Sequence, residues 1–492
     1  MAYVTRTQSG GTVRVPECRG LMQYGDGTGL DPRYAADCCN ALTAQGVLKP
    51  MAPCVLLKPR TPAPIQTLAR LYRRWYAPDD QHELLVAAAG GQLYWMLPED
   101  ERWTKLDLPH GWANQRYQSD VWSWAAYEIN VEDRDAPVDV LLMSNAVDGM
   151  ICIRGDTMAV SVIATPKKFG VIARYAERIW GGGIPDDPDM LVYSAPYDPY
   201  DWSANAEIPE DGAGDVLQPS WDGDSFTALT AFGSQLIAMK RTRVWRVLGT
   251  DPGTYVFKEQ YGGGTPCPQT VAVDNSRILM LDRGGVCCYD GESVTPFQQE
   301  CAGLIFERVN PRAISEAAAC LWKGTYYCAL PLDESPVNNA VLLFNTRENT
   351  WLLRTDVQVE SFLPAQDALY FTSSSTPGCL WLWQEDCVKT RSAGPMRWVG
   401  GWHDLDARQV VKHDFRLYLC VDCPEETTLR LSVETENGEK SKLVRFFPGA
   451  RQRCVPFYVR GRRFRLKLES EGDQPWQLLG GMQLEMETEE NE

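Results

Sequence analysis

Short apolar segments separated by turn residues fill the middle of this chain, and this texture constrains its fold more than any other feature. Between about residues 60 and 390, segments such as Gly91–Trp95, Gln235–Met239 and Ala340–Phe344 alternate with turns rich in Asp, Gly and Asn. Short apolar runs bounded by such turns are typical of β-strands joined as hairpins. We therefore expect an all-β fold in which helices have almost no part.

A loosely repeated unit of strand, turn and strand predicts a β-propeller. The unit recurs at 234–250, 277–296, 322–354 and 367–384, and a spacing of about 40–50 residues suits a blade of four strands. The repeats are too degenerate to fix the number of blades, and we expect six or seven. Trp351 closes one of these hairpins, and we expect its ring to return to the core between blades.

Changes in composition and in the pattern of predicted strands divide the 492 residues into four predicted regions. Residues 1–60 are rich in Gly and Pro and lack periodicity, which predicts an extended N-terminal arm, with a floppy terminus as the alternative. Residues 61–390 form the predicted propeller, and residues 391–410 form a linker. Residues 411–492 contain longer strands, including the alternating segment Arg463–Leu468, and predict a C-terminal β-sandwich with an acidic tail.

The chain is acidic, with a formal net charge of −17. Such a chain is repelled by bulk nucleic acid and by anionic lipid. It could still line a passage through which DNA slides, because an acidic wall does not hold phosphate. No apolar run is long enough to span a membrane, and the opening residues lack the apolar core of a signal peptide. We therefore predict no membrane contact.

The 16 cysteines do not form the pattern of a disulfide scaffold or of a metal site. Cys420 and Cys423 have the spacing of a zinc knuckle, but a structural zinc needs four ligands. No second pair follows, and only Cys454 and His413 are near in sequence. We predict buried, reduced thiols in a protein made in a cytoplasm, with no metal and no cofactor.

No motif for a catalytic nucleophile, a catalytic zinc or a phosphate-binding loop occurs in the sequence. The segment Trp221–Phe226 resembles part of the Asp-box turn of sialidases, but the Gly directly follows the Asp and the closing Trp is missing. Glycan hydrolysis would need two carboxylates that face one pocket. We predict that the protein is not an enzyme, and a glycan-binding or glycan-cleaving propeller stays open as the alternative.

Two clusters of arginine stand out on this acidic chain. Each cluster is either a docking face for an acidic partner subunit or a solvated strand face that discourages edge pairing. The clusters are Arg70, Arg73 and Arg74 in the first part of the predicted propeller, and Arg460, Arg462, Arg463 and Arg465 in the predicted sandwich.

Several segments resemble one family of phage proteins. The segment Leu191–Trp202 (LVYSAPYDPYDW) is an apolar strand followed by a turn rich in Pro and Asp that closes on Trp202. Together with Gly233–Gly249, Gly284–Gly291 and the closing strands 461–485, it resembles the tail-hub or packaged-DNA stabilisation propeller proteins of short-tailed bacteriophages. The high Cys and Trp content departs from that family.

This resemblance implies a structural part of a virion. The expected assembly is a ring of six subunits below the portal and adaptor, in the tail or neck, built from protein made in the host bacterial cytoplasm. Such a ring continues the DNA channel and helps to retain and release the packaged genome, without sequence-specific DNA binding. The N-terminal arm would link neighbouring subunits, and Trp202 and Trp351 would be structural. The resemblance requires no catalytic residue.

Overall fold

The structure is a computed structural model. It describes residues 4–7, 10–23, 27–74, 81–109, 116–131, 136–218, 223–260, 262–384 and 391–489.

Six strands precede the propeller repeats. They are β1 (Val4–Thr7), β2 (Gly10–Val15), β3 (Ala35–Cys39), β4 (Ala41–Leu42), β5 (Lys49–Pro50) and β6 (Val55–Arg60). Strands β4 and β5 pair with each other. The other four belong to sheets that are completed by later parts of the chain.

The middle of the chain forms antiparallel sheets of four strands, each of which is one blade. Blade 1 contains β7 (Ile65–Arg74), β8 (Gln81–Ala89), β9 (Gln92–Met96) and β10 (Thr104–Lys105), and blade 2 contains β11 (Ser123–Ile129), β12 (Val138–Asn145), β13 (Gly149–Arg154) and β14 (Val160–Ile163). Blade 3 contains β15 (Val171–Tyr175), β16 (Arg178–Gly182), β17 (Met190–Tyr193) and β18 (Gly214–Leu217). Blade 4 contains β19 (Ala228–Phe232), β20 (Gln235–Met239), β21 (Val244–Leu248) and β22 (Val256–Gln260).

The remaining blades follow the same plan. Blade 5 contains β23 (Ala272–Val273), β24 (Ile278–Asp282), β25 (Gly285–Tyr289) and β26 (Val294–Pro296), and is followed by the helix α1 (Gln299–Phe306). Blade 6 contains β27 (Ala318–Trp322), β28 (Thr325–Leu330), β29 (Ala340–Asn345) and β30 (Thr350–Arg354). Blade 7 contains β31 (Ser361–Pro364), β32 (Leu369–Thr372) and β33 (Cys379–Leu382), and takes β6 as its fourth strand.

Blade 7 closes the ring because it is built from two distant parts of the chain. Val55 and Leu56 of β6 pair with Leu382 and Trp381 of β33. On its other side β31 packs against β7 of blade 1, where Leu68 shares an apolar cluster with residues of blade 7. The described residues thus form seven blades, within the predicted range of six or seven.

Apolar side chains fill the spaces between neighbouring blades. Leu71 and Ile151 belong to the cluster between blades 1 and 2, and Trp180 and Trp245 belong to the cluster between blades 3 and 4. Both faces of each sheet are covered, so the central strands read as continuous apolar runs rather than as alternating ones. Burial of these faces from water is the main favourable term in folding.

The last seven strands belong to a β-sandwich. They are β34 (Arg397–Gly400), β35 (Val411–Asp422), β36 (Thr427–Thr435), β37 (Gly438–Phe446), β38 (Arg451–Phe457), β39 (Phe464–Ser470) and β40 (Gln477–Glu489). One sheet has the order β1-β2-β40-β35-β38, and the facing strands have the order β3-β34-β39-β36-β37. Phe415, Leu431, Phe457 and Leu468 are fully buried between them.

The propeller and the sandwich share one continuous sheet. Strand β3 pairs with β30 of blade 6 through Cys39 and Leu353, and with β34 of the sandwich through Cys38 and Trp398. The resulting sheet has nine strands and runs from β27 to β37. The backbone hydrogen bonds that join these strands tie the two units together more firmly than a flexible linker would.

The boundaries differ from those predicted at two places. The predicted arm, residues 1–60, contributes β2 and β3 to the sandwich and β6 to the propeller. The predicted linker, residues 391–410, contains β34, which lies in the interior of the nine-stranded sheet. Both segments read as structureless because their strands are short, and because β2, β3, β6 and β34 each pair with at least one strand that lies hundreds of positions away in the chain.

Candidate functional site

The first strands of the blades surround a cavity on the propeller axis. This cavity has a volume of about 590 Å³. It is lined by Gln66, Thr67, Leu68, Arg70, Trp122, Trp124, Thr230, Pro268, Gln269, Val271, Ala272, Val273, Ala318, Ala319, Cys320, Leu321, Ser361, Phe362 and Pro364. Among these lining residues Arg70 alone is charged. The axis therefore offers aromatic, amide and hydroxyl groups, and the described lining holds no Asp, Glu or His.

Arg70 acts at the closure between blades 1 and 7. Its Nη1 atom donates a hydrogen bond of 3.0 Å to the carbonyl oxygen of Pro364 and lies 3.5 Å from Oε1 of Glu83. Its guanidinium also lies 5.4 Å from the centre of the Tyr72 ring. These contacts within the chain make Arg70 a structural residue rather than an open docking residue.

The other two arginines of this cluster, Arg73 and Arg74, are the last two residues of β7. Arg73 lies half-buried in β7, next to Arg74 at the end of the strand. The side chain of Arg74 lies outside the described residues. Side chains three positions apart on a strand point to opposite faces, so the described side chains of Arg70 and Arg73 do not share a face of β7.

The C-terminal arginines contact acidic and aromatic groups of the sandwich itself. Arg460 forms an ion pair with Glu489. The backbone N–H groups of Arg462 and Arg463 donate to the Glu436 carboxylate at 2.6 and 3.1 Å. Arg465 donates from Nε to Glu434 at 2.6 Å, and the guanidinium groups of Arg463 and Arg465 lie 4.7 and 4.6 Å from the Trp402 ring. This cluster is largely satisfied within the chain.

Within the part of the chain that the structure describes, Cys420 and Cys423 belong to no group of three or more potential metal ligands. The Cys423 thiol is buried and donates to the Phe447 carbonyl oxygen at 3.4 Å. His413, Asp414 and Glu487 bring three potential ligand atoms within 4.8 Å of one another. Glu487 already accepts a hydrogen bond of 3.2 Å from Arg416, and Asp414 contacts His413 at 3.1 Å. Two of these three side chains therefore already interact with each other, and the third interacts with Arg416.

The cysteines of the described chain are free thiols, and most are buried. Burial raises the pKa of Cys18 and of Cys328 to about 12, whereas Cys454 is exposed. Because the thiolate is the reactive form, we expect iodoacetamide at pH 8 to modify Cys454 about tenfold faster or more than these two buried thiols. Peptide mapping by mass spectrometry over time measures the rates. A Cys454→Ser variant should lose the fast reaction, and equal rates at Cys18 in the native protein would contradict the burial.

The loop that follows β17 is held by a buried cation. Arg178 is 1% exposed, and its Nη1 donates to the carbonyl oxygens of Ser194 and Gly212 at 2.8 and 2.6 Å. Its Nη2 donates to the carbonyl oxygen of Glu210. The sequence predicts a blade strand followed by a tight loop here. The structure instead shows β17 followed by a longer connection to β18. The hydrogen bonds from Arg178 hold this connection in place.

Trp202 lies in this loop and is half-buried. Its ring centre lies 5.2 Å from that of Phe169, and its Nε1 donates to the Pro199 carbonyl oxygen at 2.9 Å. Since the ring covers the edge of an inter-blade cluster, we expect Trp202→Ala to lower the free energy of unfolding by about 1–3 kcal/mol. Urea unfolding measures the loss. A change within experimental error would show that the ring makes no net contribution.

Trp351 is fully buried, between blade 6 and the segment around α1. Its Nε1 donates to Oε1 of Gln298 at 3.0 Å, and its ring centre lies 4.8 Å from that of Phe344. Its backbone oxygen accepts a hydrogen bond of 2.7 Å from the N–H of Leu21. Trp351 therefore lies where the N-terminal segment crosses blade 6.

Comparisons with known proteins add a fold and nothing more specific. No known family model matches the chain, and no curated protein matches it in sequence. Among solved structures it is similar to the WD40 domain of Pan2 from Neurospora crassa, at 12% identity with a TM-score of 0.36, over 69% of this chain and 96% of that one. It is also similar to BBS1N in its complex with ARL6DN, at 9% identity with a TM-score of 0.40, over 69% and 99% of the two chains.

A third similar structure is the propeller domain of the Trilobed protease from Pyrococcus furiosus, at 9% identity with a TM-score of 0.34, over 65% of this chain and 97% of that one. These identities and scores are too low to carry an argument about function. They agree with the β-propeller that the sheet topology already defines. Separately, none of the described helices has the length and apolar character needed to cross a membrane.

Proposed function

We propose that this protein is a structural component of a tailed-phage virion, a ring-forming tail hub or nozzle subunit. It is made in the host cytoplasm and assembles as a ring of six copies against the portal and adaptor. The ring continues the DNA channel and helps to retain and then release the packaged genome. The phage resemblance of Leu191–Trp202 and of the closing strands is the source of this assignment.

The observation that carries the proposal is the continuity between propeller and sandwich. Blade 6 runs through β3 and β34 into the sandwich as one sheet of nine strands, and β6 closes the propeller. A propeller closed in this way resists bending and leaves only short strand edges. These are the mechanical properties that a tube under internal pressure requires.

The axial cavity supports a non-catalytic role. Its described lining contains one charged residue, Arg70, and that residue is bonded to Pro364 and Glu83. Glycosidases of the common type need two carboxylates about 5–10 Å apart at the reacting sugar. The described wall of this cavity lacks that pair, and the proposal requires no catalytic group there.

The net charge of −17 suits a subunit that borders moving DNA. Non-specific DNA binding is driven by the release of counterions when cationic side chains neutralise phosphates. Because an acidic wall repels phosphate, it does not hold passing DNA in this way. The proposal therefore predicts that DNA passes through the ring and that the protein does not recognise the base sequence.

Electron microscopy of the purified full-length chain tests the ring directly. Class averages with sixfold symmetry and a central opening wide enough for duplex DNA are expected. A chain that stays monomeric at high concentration, with and without the portal and adaptor proteins, would overturn the proposal.

The axial cavity also favours a second candidate function, which is binding of an uncharged glycan. Trp124 and Phe362 offer ring faces, and the exposed amides of Gln66 and Gln269 offer hydrogen bonds, a combination that suits small-molecule pockets. Saturation-transfer NMR with oligosaccharides tests this function. Binding that is lost in Gln269→Ala would support a receptor-binding propeller, and no binding would remove this candidate.

A further inference from the structure

Both sheets of the sandwich end in open strands on the same side. Strand β37 is the last strand of the nine-stranded sheet, β38 is the last strand of the five-stranded sheet, and the two lie against each other. Almost all of β37 is exposed, as is the first half of β38. These edges are therefore available to a partner.

Four cations point into the gap between these two edges. Lys440 and Lys442 of β37 lie opposite Val433 and Leu431 of β36, which point into the core. Residues directly opposite each other on paired strands share a face of the sheet. Lys440 and Lys442 therefore extend from the inner face of their sheet while remaining exposed to solvent.

The facing strand has the same arrangement. Arg451 and Arg453 of β38 lie opposite Val421 and Leu419 of β35, which are buried core residues, and both arginines are exposed. The two sheets thus direct like charges toward each other at the open side of the sandwich. The cationic cleft is defined by Lys440, Lys442, Arg451 and Arg453.

Within the described chain, no carboxylate forms an ion pair with any member of the cationic cleft. The nearby acidic groups are used elsewhere. Glu439 lies 2.6 Å from Lys467, and Glu426 lies 3.8 Å from Arg445. The ammonium group of Lys442 instead lies 5.9 Å from the Phe457 ring. Four like charges without a counter-charge repel one another, and an anionic partner would relieve that repulsion.

The same chain carries a surface of opposite sign on blade 3. From Ile179 to Met239 the sequence contains eleven Asp and Glu residues and no Lys, Arg or His. Six exposed members are in the loop after β17 and in β18, and a seventh, Asp186, precedes β17. Among the described residues, no carboxylate of these six forms an ion pair. The acidic face is defined by Asp198, Asp201, Glu207, Glu210, Asp211 and Asp215.

Exposed apolar groups accompany both charged surfaces. Tyr197 and Leu217 at the acidic face are 68% and 58% exposed. Leu443 and Tyr458 beside the cationic cleft are 59% and 71% exposed. Interfaces between proteins combine such apolar and aromatic groups with a polar rim, so each surface has the composition of a docking site.

We infer that the cationic cleft of one copy docks on the acidic face of the next copy. This inference rests on the proposed ring, and it names the contact that forms it. The two surfaces lie on different parts of the chain, so the contact is heterologous and repeats until the rotation closes. Inward-pointing charge blocks backbone pairing between edge strands, so side chains rather than an added strand make this contact.

A second copy fits the cleft better than nucleic acid does. The complementary acidic face is present on the chain itself, at the same concentration as the cleft. A net charge of −17 repels DNA from most of the surface. Docking of duplex DNA in the cleft is nevertheless a distinct outcome of the test below.

Two charge-reversal variants test the contact, one in the cationic cleft and one in the acidic face. Each variant is measured alone and then in a mixture with the other. The cleft variant carries Lys440→Glu, Lys442→Glu, Arg451→Glu and Arg453→Glu. The face variant carries Glu207→Lys, Glu210→Lys, Asp211→Lys and Asp215→Lys, which leaves the carboxylates of Asp198 and Asp201 on their loop N–H groups. A matched control reverses four exposed cations of the propeller, far from the cleft in sequence: Lys58, Arg102, Lys105 and Arg312.

Sedimentation velocity of the full-length proteins at low salt measures assembly, and circular dichroism checks folding. Each variant alone is expected to associate about tenfold more weakly or worse than the wild-type chain, whereas the control assembles normally. An equimolar mixture of the two variants should assemble again, because each cleft then meets a face of opposite charge in an alternating ring.

The outcomes separate this contact from the ring itself. If both variants form rings as readily as the wild-type chain does, the proposed function stands and the proposed contact is overturned. A mixture that fails to assemble would also overturn it, and a wild-type chain that never assembles would overturn both. DNA binding that is lost in the cleft variant while the rings remain would assign the cleft to nucleic acid instead.

Discussion

Removal of residues 1–60 is expected to prevent the protein from folding, rather than to yield a folded subunit that fails to assemble. The deletion removes β6, so blade 7 loses the strand that pairs with Leu382 and Trp381. It also removes β3, which joins blade 6 to β34, and β2, which pairs with β40 along six residues. Buried backbone groups on three sheets would lose their partners, and each unsatisfied group costs about 1–3 kcal/mol.

The expected result is insoluble expression or the loss of a cooperative thermal transition. A deletion of residues 1–7 is the matched control, because β1 is the outermost strand of its sheet and pairs only with β2. That control should fold with little change in Tm. A truncated chain lacking residues 1–60 that unfolds cooperatively near the wild-type Tm would show that the N-terminal segment is a free arm after all.

Replacement of Trp351 by Ala is expected to lower the free energy of unfolding by about 3–5 kcal/mol, the range for deletion of a fully buried aromatic ring. The ring lies 4.8 Å from Phe344 and 6.3 Å from Phe306 between ring centres, so the variant leaves a cavity among aromatic groups that are themselves fixed. It also leaves the amide oxygen of Gln298 without its 3.0 Å hydrogen bond.

Guanidinium unfolding followed by tryptophan fluorescence and by circular dichroism measures this loss. Trp351→Phe is the control, because it keeps most of the apolar volume and removes chiefly the hydrogen bond to Gln298. That conservative variant should lose less than half as much stability. A loss below about 1 kcal/mol in Trp351→Ala would mean that the surrounding cluster collapses into the cavity.

The strands of the propeller could be predicted because their information is local. Arg277–Leu281 and Gly285–Gly291 read as two strands with a tight turn, and the structure has β24 and β25 there. Turn residues and apolar runs fix such hairpins within a few residues of sequence. By the same reasoning, the segment Ile65–Tyr76 predicts a strand rather than a helix. Strand β7 covers Ile65–Arg74, and residues 75 and 76 lie outside the described residues.

The pairing of distant segments could not be predicted from a single sequence. Strand β6 pairs with β33, more than 300 positions later, and nothing in Val55–Arg60 specifies that partner. Strand β34 has only four residues, of which three are buried, so it shows no alternation that would distinguish it from a linker. The predicted arm and linker were wrong for this reason.

The candidate surfaces were partly visible in the sequence. Counting charge located Arg460, Arg462 and Arg463, but only the structure shows the contacts that tie them to Glu489 and Glu436. The cationic cleft was missed because β37 and β38 each read as an ordinary polar strand, and their convergence depends on the sandwich. The run from Ile179 to Met239 without a single cation is a signal that a charge count along the chain would have found.

The most direct test of the proposed role is electron microscopy of phage particles labelled with gold-conjugated antibody against this protein. The proposal predicts label at the neck or the upper tail of every particle, on the axis below the portal. Label confined to the tail tip would favour a receptor-binding propeller, and particles without any label would contradict a virion role altogether.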